Sequence, residues 1–433
     1  MYFIVETIEQ FSRMEHTDEC FIQLISGNDK FHPKLSYSSL LYYNDGKKGY
    51  IFPFKHSEAF SLDIELVQSF LSKHRIVYLI DKKYHSYFLH LQNTVDINFI
   101  YLDQTNNYES FNCDTLLHNN YYSKFINLKN ISEVIPISKH YERCQCLYEA
   151  VKGFFGLEAD TKFQDKLIDA YKKVESNPIK LDLEKFNLKY NLIQKNCSLQ
   201  DDFIYSYYNL YNLTGRPTNS FNGVNFLAIP KDKEFRECFI PANTLFVEFD
   251  FDAYHLRLIG NLVGYNWSKE SIHLELGKQY FNKSELTPEE YSESKTITFK
   301  QLYGGVDKKY KHIEFFSKMD AYIQQTWENY KRQGAVALPT GRILKYSSEI
   351  NKLKLFNYIV QNQETLVNTS KIDSINHYLE VNKLRTKLVL ITYDSFLLDF
   401  ERDDGKQTLL DIKDILEQDN MVVKHKYGPN YSF

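Results

Sequence analysis

The alternation of apolar runs and polar turns along the chain predicts an α/β protein. Between residues 1 and 130, short apolar runs separated by polar turns are typical of a strand-rich α/β region. These runs are YFIVE, CFIQLI, YIFPF, RIVYLI and INFIYL. Residues 140–176 carry a helical pattern, and NPIKLD at 177–182 predicts a turn. From about residue 200, predicted helices and strands alternate again.

Two apolar strands near the C-terminus run into aspartates. The segment 244–257, TLFVEFDFDAYHLR, predicts a buried strand that ends at Asp250 and leads into a helix. The segment 387–400, KLVLITYDSFLLDF, predicts a hairpin with Asp394 at its tip. A carboxylate at the end of a buried strand is costly unless a cation compensates it. Two such carboxylates can hold divalent ions, although Asp394 alone is equally typical of a turn.

A helix between these strands has a strong predicted start. Thr287 followed by Pro288 and Glu290 fits a capping box with proline at the first helical position. Tyr291, Lys295, Phe299 and Tyr303 then follow at four-residue spacing and form one ridge, which ends at Gly304-Gly305. A cation and two aromatic rings in a row suit a triphosphate, a sugar and a base. The alternative is an ordinary half-buried amphipathic helix.

Composition narrows the class of protein. With 433 residues, 43% hydrophobic and 25% charged, the chain is globular and long enough for two or three domains. Its net charge of −4 requires that any nucleic-acid surface be a local basic patch. Clusters at 308–312, 382–387 and 424–426 offer such charge, but each alone is typical of a solvated face.

The cysteines and the N-terminus predict a cytoplasmic protein. Six cysteines lack any CxxC pair and are expected to be free buried thiols in a reducing compartment. They are Cys20, Cys113, Cys144, Cys146, Cys197 and Cys238. MYFIVETIEQF lacks the basic region of a signal peptide, and no apolar run approaches roughly 18 residues. We therefore expect no membrane span and a location in the cytoplasm of a bacterium or phage-infected host.

Several segments, taken in order, resemble the A-family DNA polymerases, the group of bacterial DNA polymerase I and several phage replicases. The resemblance covers about residues 177–433. The segments are TGRPTNSFNGVNFLAIP at 214–230, DFDAYHLR at 250–257, K-x-x-x-F-x-x-x-YG at 295–304, TGR at 340–342, NYIVQ at 357–361, YDS at 393–395 and the terminal GPNYSF.

The resemblance implies an α/β (α+β) right-hand fold. Residues 201–433 would form palm and fingers, with the fingers at about 265–345. Residues 151–200 would be a linker and residual thumb base. Asp250 and Asp394, with the backbone carbonyl of Phe251, would hold two Mg²⁺ ions, or Mn²⁺, for nucleotidyl transfer to primer–template DNA from deoxynucleoside triphosphates.

The resemblance also implies roles for other side chains. On the fingers helix, Lys295 would meet the triphosphate, Phe299 the sugar and Tyr303 the templating base. The implied primer–template residues are Arg216, Arg257, Gln361, Arg342 and Tyr393, with Arg257 bracing the palm and Gln361 in the minor groove.

Three positions depart from the family pattern. Tyr291 stands where the family has an arginine, so one triphosphate contact is lost unless Lys300 or another cation replaces it. His255 stands in place of the glutamate that screens out ribose, and Ser395 in place of the hairpin glutamate. These departures leave open a catalytically weak or inactive polymerase-like protein that acts as a nucleic-acid-binding or accessory subunit.

Residues 1–150 are expected to form a degenerate, RNase H-like 3′–5′ exonuclease domain. The positions that would correspond to its metal-binding carboxylates and their neighbours are Ile4, Glu6, Asp81, Asp96 and His140. Ile4 and His140 cannot serve as acidic ligands. We therefore expect no proofreading. The long helical thumb of relatives also has no counterpart beyond a stub at 185–200, which predicts a processivity or thumb-replacing partner protein.

Overall fold

The computed structural model describes most of the chain as two compact units. The described residues are 2–28, 32–106, 135–157, 161–189, 199–219, 224–230 and 233–433. The N-terminal unit comprises Met1–Ile168, Gln194–Gln200 and Phe221–Gly223, and the C-terminal unit comprises Asp169–Ile193, Asp201–Ser220 and Val224–Phe433. Across these described ranges, no helix combines the length and the apolar character needed to cross a membrane.

The N-terminal unit is built on a six-stranded mixed sheet. Its strands are Phe3–Ile4 (β1), Glu19–Ser26 (β2), Ser38–Asn44 (β3), Gly49–Pro53 (β4), Ile76–Leu79 (β5) and Thr94–Asp96 (β6). Their order is β1-β4-β3-β2-β5-β6. Strands β2, β3 and β4 form an antiparallel meander, β5 and β6 run parallel to β2, and β1 pairs with β4 at the edge.

Helices cover both faces of this sheet. They are Ile8–Ser12 (α1), Ile64–Leu71 (α2), Lys82–His85 (α3), Ile97–Thr105 (α4) and Ile137–Val151 (α5), followed by Thr161–Glu175 (α6). Because side chains alternate along a strand, Leu41 and Tyr43 of β3 pack in the apolar cluster that includes α2. Leu40 and Tyr42 pack on the other face with residues of α4 and α5.

The C-terminal unit is organised around a four-stranded antiparallel sheet. The strands before it in the chain are Ile179–Leu181 (β7), Leu199–Gln200 (β8, which belongs to the N-terminal unit), Phe203–Ile204 (β9), Tyr208–Asn209 (β10), Thr218–Asn219 (β11) and Phe239–Ile240 (β12). The remaining strands are Leu245–Phe251 (β13), Ala335–Ala337 (β14), Ile343–Lys345 (β15), Lys387–Thr392 (β16), Ser395–Phe400 (β17) and Val423–Gly428 (β18). The central sheet has the order β16-β17-β13-β18, which places the buried strand β13 between two partners.

Eight helices follow in the described part of this region. They are Leu183–Lys189 (α7), Lys233–Arg236 (α8), Tyr254–Val263 (α9), Ile272–Phe281 (α10), Pro288–Gly304 (α11), Glu314–Gln333 (α12), Lys352–Val381 (α13) and Gly405–Glu417 (α14). One apolar cluster joins α9, α10, α12 and α13 through residues such as Leu256, Leu276, Phe316 and Phe356. The helix α11 starts at the predicted capping box, with the Thr287 side chain accepting from the Glu290 N–H at 3.2 Å.

The structure corrects three local expectations. INFIYL, counted with the strands, belongs to helix α4, because the Asp96 side chain caps that helix by accepting from the Asn98 N–H at 3.0 Å. NPIKLD contains strand β7, which pairs with β9 and β12. YFIVE contributes only the two-residue edge strand β1, while Glu19–Ser26 takes the central place in the sheet.

The four described cysteines form no disulfide. Cys20, Cys144 and Cys238 are buried, whereas Cys146 is half-buried. Burial of Cys20 raises the pKa of its thiol, which keeps it protonated and unreactive. Cys113 and Cys197 lie outside the described residues.

Candidate active site

Asp250 and Asp394 lie side by side at one end of the central sheet. Asp250 pairs in register with Ser395, and the Phe251 N–H donates to the Asp394 carbonyl at 2.9 Å. A two-residue turn of Tyr393 and Asp394 joins β16 to β17, with Tyr393 in the left-handed region at φ +60°. The hairpin predicted from the sequence therefore carries Asp394 to the strand end that carries Asp250.

The environment of Asp394 favours a bound cation. The residue keeps access to solvent, yet the protein atoms around its carboxylate raise its pKa by excluding water on the other sides. The negative charge of Glu364 raises this pKa further, and the charges of His255 and Arg216 oppose that effect. A carboxylate that is costly to ionise gains stability from a cation placed beside it.

A row of three side chains crosses the sheet at Asp250. Ser395 of β17 and Lys424 of β18 both pair with Asp250 in register, so all three side chains share one face. The Ser395 hydroxyl donates to the Glu248 carboxylate at 2.7 Å. The Lys424 ammonium pairs with the Asp252 carboxylate, and this hydrogen bond is the main cause of the raised pKa of Lys424.

The ridge on α11 forms as the spacing predicts. The Lys295 ammonium lies 4.5 Å from the ring centroid of Tyr291. The rings of Phe299 and Tyr303 are parallel within 6°, with centroids 6.4 Å apart. These two rings are 50% and 45% exposed, respectively, so they offer stacking surface to a ligand.

A hydrogen-bonded network joins the end of this ridge to the aspartate hairpin. His255 Nδ1 lies 2.8 Å from the Tyr303 hydroxyl, and its Nε2 lies 2.9 Å from Glu364 Oε2. The other oxygen of Glu364 accepts from Arg216 Nε at 2.8 Å. The guanidinium carbon of Arg216 lies 3.5 Å from the ring centroid of Tyr393. The Glu364 side chain is only 1% exposed, and these two partners compensate its burial.

Comparison with known proteins identifies the architecture. No protein-family model and no curated protein matches the sequence. Among solved structures, the POL domain of Pol1 from M. smegmatis, solved in complex with DNA primer-template and dNTP, aligns with a TM-score of 0.70 at 12% sequence identity. The alignment covers 100% of this chain and 99% of that chain. This chain has the fold of a DNA polymerase domain. The mixed α/β class and the polymerase fold predicted from the sequence are thereby confirmed.

Two residues of this candidate site were not predicted from the sequence. Glu364 is one, because its partners His255 and Arg216 are 109 and 148 positions away in the chain. His273 of α10 is the other. The centroid of its ring lies 5.8 Å from that of Phe299. Burial lowers the pKa of His273, and the nearby positive charge of Lys295 lowers it further. The one available signal was a histidine at the start of a predicted helix, which is too common to be informative.

Two of the expected primer–template arginines are engaged inside the protein. Arg257 is 2% exposed, and its guanidinium donates to the backbone carbonyls of Asp252, Ser268, Glu270 and Asn420 at 3.1–3.4 Å. This geometry is typical of a bracing residue, and it leaves little of the Arg257 guanidinium exposed to a primer–template.

Arg342 likewise donates to the backbone carbonyls of Asn212 and Leu213, which ties its hairpin to the segment before Thr214. Gln361 is half-buried on α13, and its carbonyl accepts from the Thr365 hydroxyl at 3.1 Å.

The two Thr-Gly-Arg segments of the polymerase fold meet on helix α13. The Asn362 side chain accepts from the Thr340 N–H at 2.9 Å and donates to the Thr214 carbonyl at 3.2 Å. A Cβ at Gly215 would lie 2.6 Å from the Asn362 amide nitrogen, and the φ of Gly215 is +73°. Only glycine fits this conformation and this approach.

Further along α13, one asparagine fixes the aspartate hairpin. The Asn368 amide donates to the Tyr393 carbonyl at 2.7 Å, and its oxygen accepts from the Tyr254 hydroxyl at 2.6 Å. The side chain therefore holds the turn that carries Asp394 against the helix that follows Asp250.

The donor set suits magnesium bound with a substrate. Asp250 and Asp394 place two carboxylates, which are hard oxygen donors, at one end of the sheet. Among the described residues, no cluster of three or more His, Cys, Asp or Glu side chains could hold a metal alone. Mg²⁺ commonly binds through one or two carboxylates together with substrate phosphates, so the pair fits this mode of binding.

Proposed function

We propose that the chain is a template-directed DNA polymerase of the A-family type, acting in replication or repair for a phage or bacterial genome. The observation that carries the proposal is the network that runs from the Tyr393–Asp394 turn through Arg216, Glu364 and His255 to Tyr303. It links the carboxylate pair to the aromatic ridge of α11, on a fold shared with a DNA polymerase domain.

Primer extension tests this function. We expect the purified chain, with Mg²⁺ and all four dNTPs, to lengthen a DNA primer by the number of nucleotides its template specifies. Omitting the nucleotide that the template calls for first should stop extension, which separates templated synthesis from tailing.

A second function is favoured by the substitutions at Tyr291 and Ser395. The Tyr291 ring carries no charge for a triphosphate, and Ser395 is buried against Glu248. A chain that binds primer–template DNA but extends no primer with either Mg²⁺ or Mn²⁺ would be an accessory or nucleic-acid-binding subunit.

In the proposed reaction, Asp250, Asp394 and the Phe251 carbonyl would hold two Mg²⁺ ions, which Mn²⁺ could replace. When bound, such ions supply activation of the attacking primer oxygen and stabilisation of the leaving pyrophosphate. Asn368 and Tyr254 keep the two aspartate-bearing segments in register. Asp252 is not proposed as a metal ligand; its carboxylate pairs with Lys424 in the nucleotide-free protein.

The proposed nucleotide site runs along α11. Lys295 binds the triphosphate, Phe299 packs against the sugar and Tyr303 lies near the templating base. Tyr291 orients Lys295 through its ring, from which the ammonium is 4.5 Å away. Arg216 and Tyr393, stacked on each other, border the site on the primer side, and Gln361 faces the minor groove.

Sugar discrimination is expected to be weaker than in relatives that carry a glutamate at the position of His255. Both ring nitrogens of His255 are occupied by Tyr303 and Glu364, so no free carboxylate meets a ribose 2′-hydroxyl there. We expect the ratio of dNTP to rNTP incorporation efficiency to be below about 10⁴.

Single-nucleotide incorporation kinetics with matched dNTP and rNTP measure this ratio. The double variant His255→Glu/Glu364→Gln returns a carboxylate to the position without placing two carboxylates together, and it should raise the ratio. A wild-type ratio well above 10⁴ would contradict the idea.

We propose that residues 1–150 form a degenerate exonuclease domain that supports the polymerase without proofreading. The carboxylates expected there are engaged in local structure. Asp96 accepts from the backbone N–H groups of Asp81, Lys82 and Asn98, and Glu6 accepts from the Phe60 N–H at 3.0 Å. His140 is 1% exposed.

A 3′-mismatched primer tests this domain. We expect no shortening of the primer in the presence of Mg²⁺, with Asp394→Ala used to exclude reversal of synthesis. Shortening that survives Asp394→Ala but is lost in Glu6→Ala would show an active exonuclease.

We propose that residues 151–200 form a linker and residual thumb base, and that residues 201–433 form the palm and fingers. The stub at 185–200 lies largely outside the described residues. Since a thumb adds phosphate contacts, and binding to duplex comes mainly from such contacts, we expect distributive synthesis and dependence on a processivity protein. Long products from the purified chain in single-hit extension with a DNA trap, at near-physiological salt, would contradict this expectation.

A further inference from the structure

The proposed nucleotide site contains a cation that the fingers helix does not provide. In the fully described helix α11, the ridge carries one cation, Lys295, because Tyr291 occupies the position one turn earlier. Lys300, the other lysine of α11, is 74% exposed and lies 3.9 Å from Asp307, away from the ridge. A triphosphate carries about four negative charges, so one lysine leaves most of them uncompensated.

Strand β18 brings a second lysine to the same place. Lys424 pairs in register with Asp250, so its side chain lies on the face that carries the proposed metal ligand. Its ammonium pairs with the Asp252 carboxylate, two residues after Asp250, and Tyr291 and Asp250 make smaller contributions to the raised pKa of Lys424. The strand register and this ion pair therefore keep the ammonium beside the proposed metal ligand.

A buried histidine lies beside the ridge. The His273 ring centroid is 5.8 Å from that of Phe299, and the residue is 8% exposed. Among the described residues its Nδ1 has no hydrogen-bond partner, and a buried polar atom of this kind in a native structure is explained by a bound water or ion. Burial lowers the pKa of His273 and the charge of Lys295 lowers it further, with a smaller contribution from Lys424.

We propose that Lys424 binds the triphosphate of the incoming nucleotide and replaces the cation missing at Tyr291, with Asp252 as its counterion in the nucleotide-free protein. The proposal deepens the proposed polymerase function and rests on it. Lys424 is 69% exposed, and exposed ion pairs contribute little to stability. Exchange of the Asp252 carboxylate for phosphate oxygens therefore costs little.

Equilibrium binding of dATP and dAMP in Mg²⁺, without DNA, tests the proposal. Lys424→Gln should weaken dATP binding about tenfold or more, because a charge-assisted hydrogen bond is lost, and should leave dAMP binding unchanged. Lys424→Arg should retain most of the dATP affinity. Lys300→Gln, which removes the same charge from α11 outside the ridge, is the matched control and should change neither affinity.

Asp252→Asn separates a phosphate-binding lysine from a purely structural ion pair. If Lys424 binds phosphate, this variant removes the competing carboxylate, and dATP binding should be equal or tighter. If the pair is only structural, Lys424→Gln and Asp252→Asn should alter dATP and dAMP binding to the same extent, which would overturn the proposal.

Two results distinguish an incorrect role for Lys424 from an incorrect polymerase function. A wild-type chain that extends primers while Lys424→Gln keeps its KM for dNTP would refute the role of Lys424 alone. A wild-type chain that binds dATP through Lys424 but extends no primer would refute the polymerase function alone.

Discussion

Replacing Asp250 or Asp394 by alanine is expected to reduce primer extension by on the order of a thousandfold. Each aspartate supplies one of the two carboxylates on which the proposed metal pair depends, and each lost tenfold in rate corresponds to about 1.4 kcal/mol of barrier. Glu248, the other carboxylate on this face of β13, is engaged by the Ser395 hydroxyl and is not free to substitute.

Single-turnover extension with saturating primer–template measures this effect. Asp252→Ser is the matched control, since it removes a carboxylate two positions from Asp250, and it should remain within about tenfold of wild type. An Asp250→Ala or Asp394→Ala variant that also stays within tenfold would show that the proposed metal pair is wrong.

Substitution of Arg257 by methionine should destabilise the C-terminal unit by about 3 kcal/mol or more. Methionine keeps much of the side-chain volume but leaves the buried carbonyls of Asp252, Ser268, Glu270 and Asn420 without their donor. The effect is expected to exceed that of any exposed ion pair, because exposed pairs are typically worth below about 1 kcal/mol.

Urea unfolding followed by tryptophan fluorescence measures this effect within the C-terminal unit. Trp267 and Trp327 are the two tryptophans of the chain, and both belong to that unit. Arg332→Met, at an exposed position of α12, is the control and should shift stability by no more than about 0.5 kcal/mol. Equal stability of the Arg257 and Arg332 variants would refute the bracing role.

Local signals in the sequence were sufficient for the helix and the hairpin that position the site. The capping box at Thr287 fixes the start of α11, and four-residue spacing fixes which of its side chains form the ridge. The apolar alternation of KLVLITYDSFLLDF fixes the Asp394 turn. The signals that predict each of these two elements lie within about fifteen consecutive residues.

The sequence could not reveal arrangements that distant contacts determine. The position of Arg257 in the chain does not show the carbonyls that surround its guanidinium. Glu364 was overlooked because its partners lie more than a hundred positions away. Lys424 was grouped with a solvated basic cluster, since its pairing with Asp250 depends on the strand order of the sheet.

The polar side chains along α13 predict which segments of the protein unfold locally together. Asn362, Glu364, Thr365 and Asn368 hold both Thr-Gly-Arg segments, the His255 network and the aspartate turn on one 30-residue helix. These loops are all anchored to α13, so a local fluctuation releases them only when they separate from that helix. The backbone amides of these loops should then exchange with deuterium together, as one cooperative unit whose lifetime is set by α13.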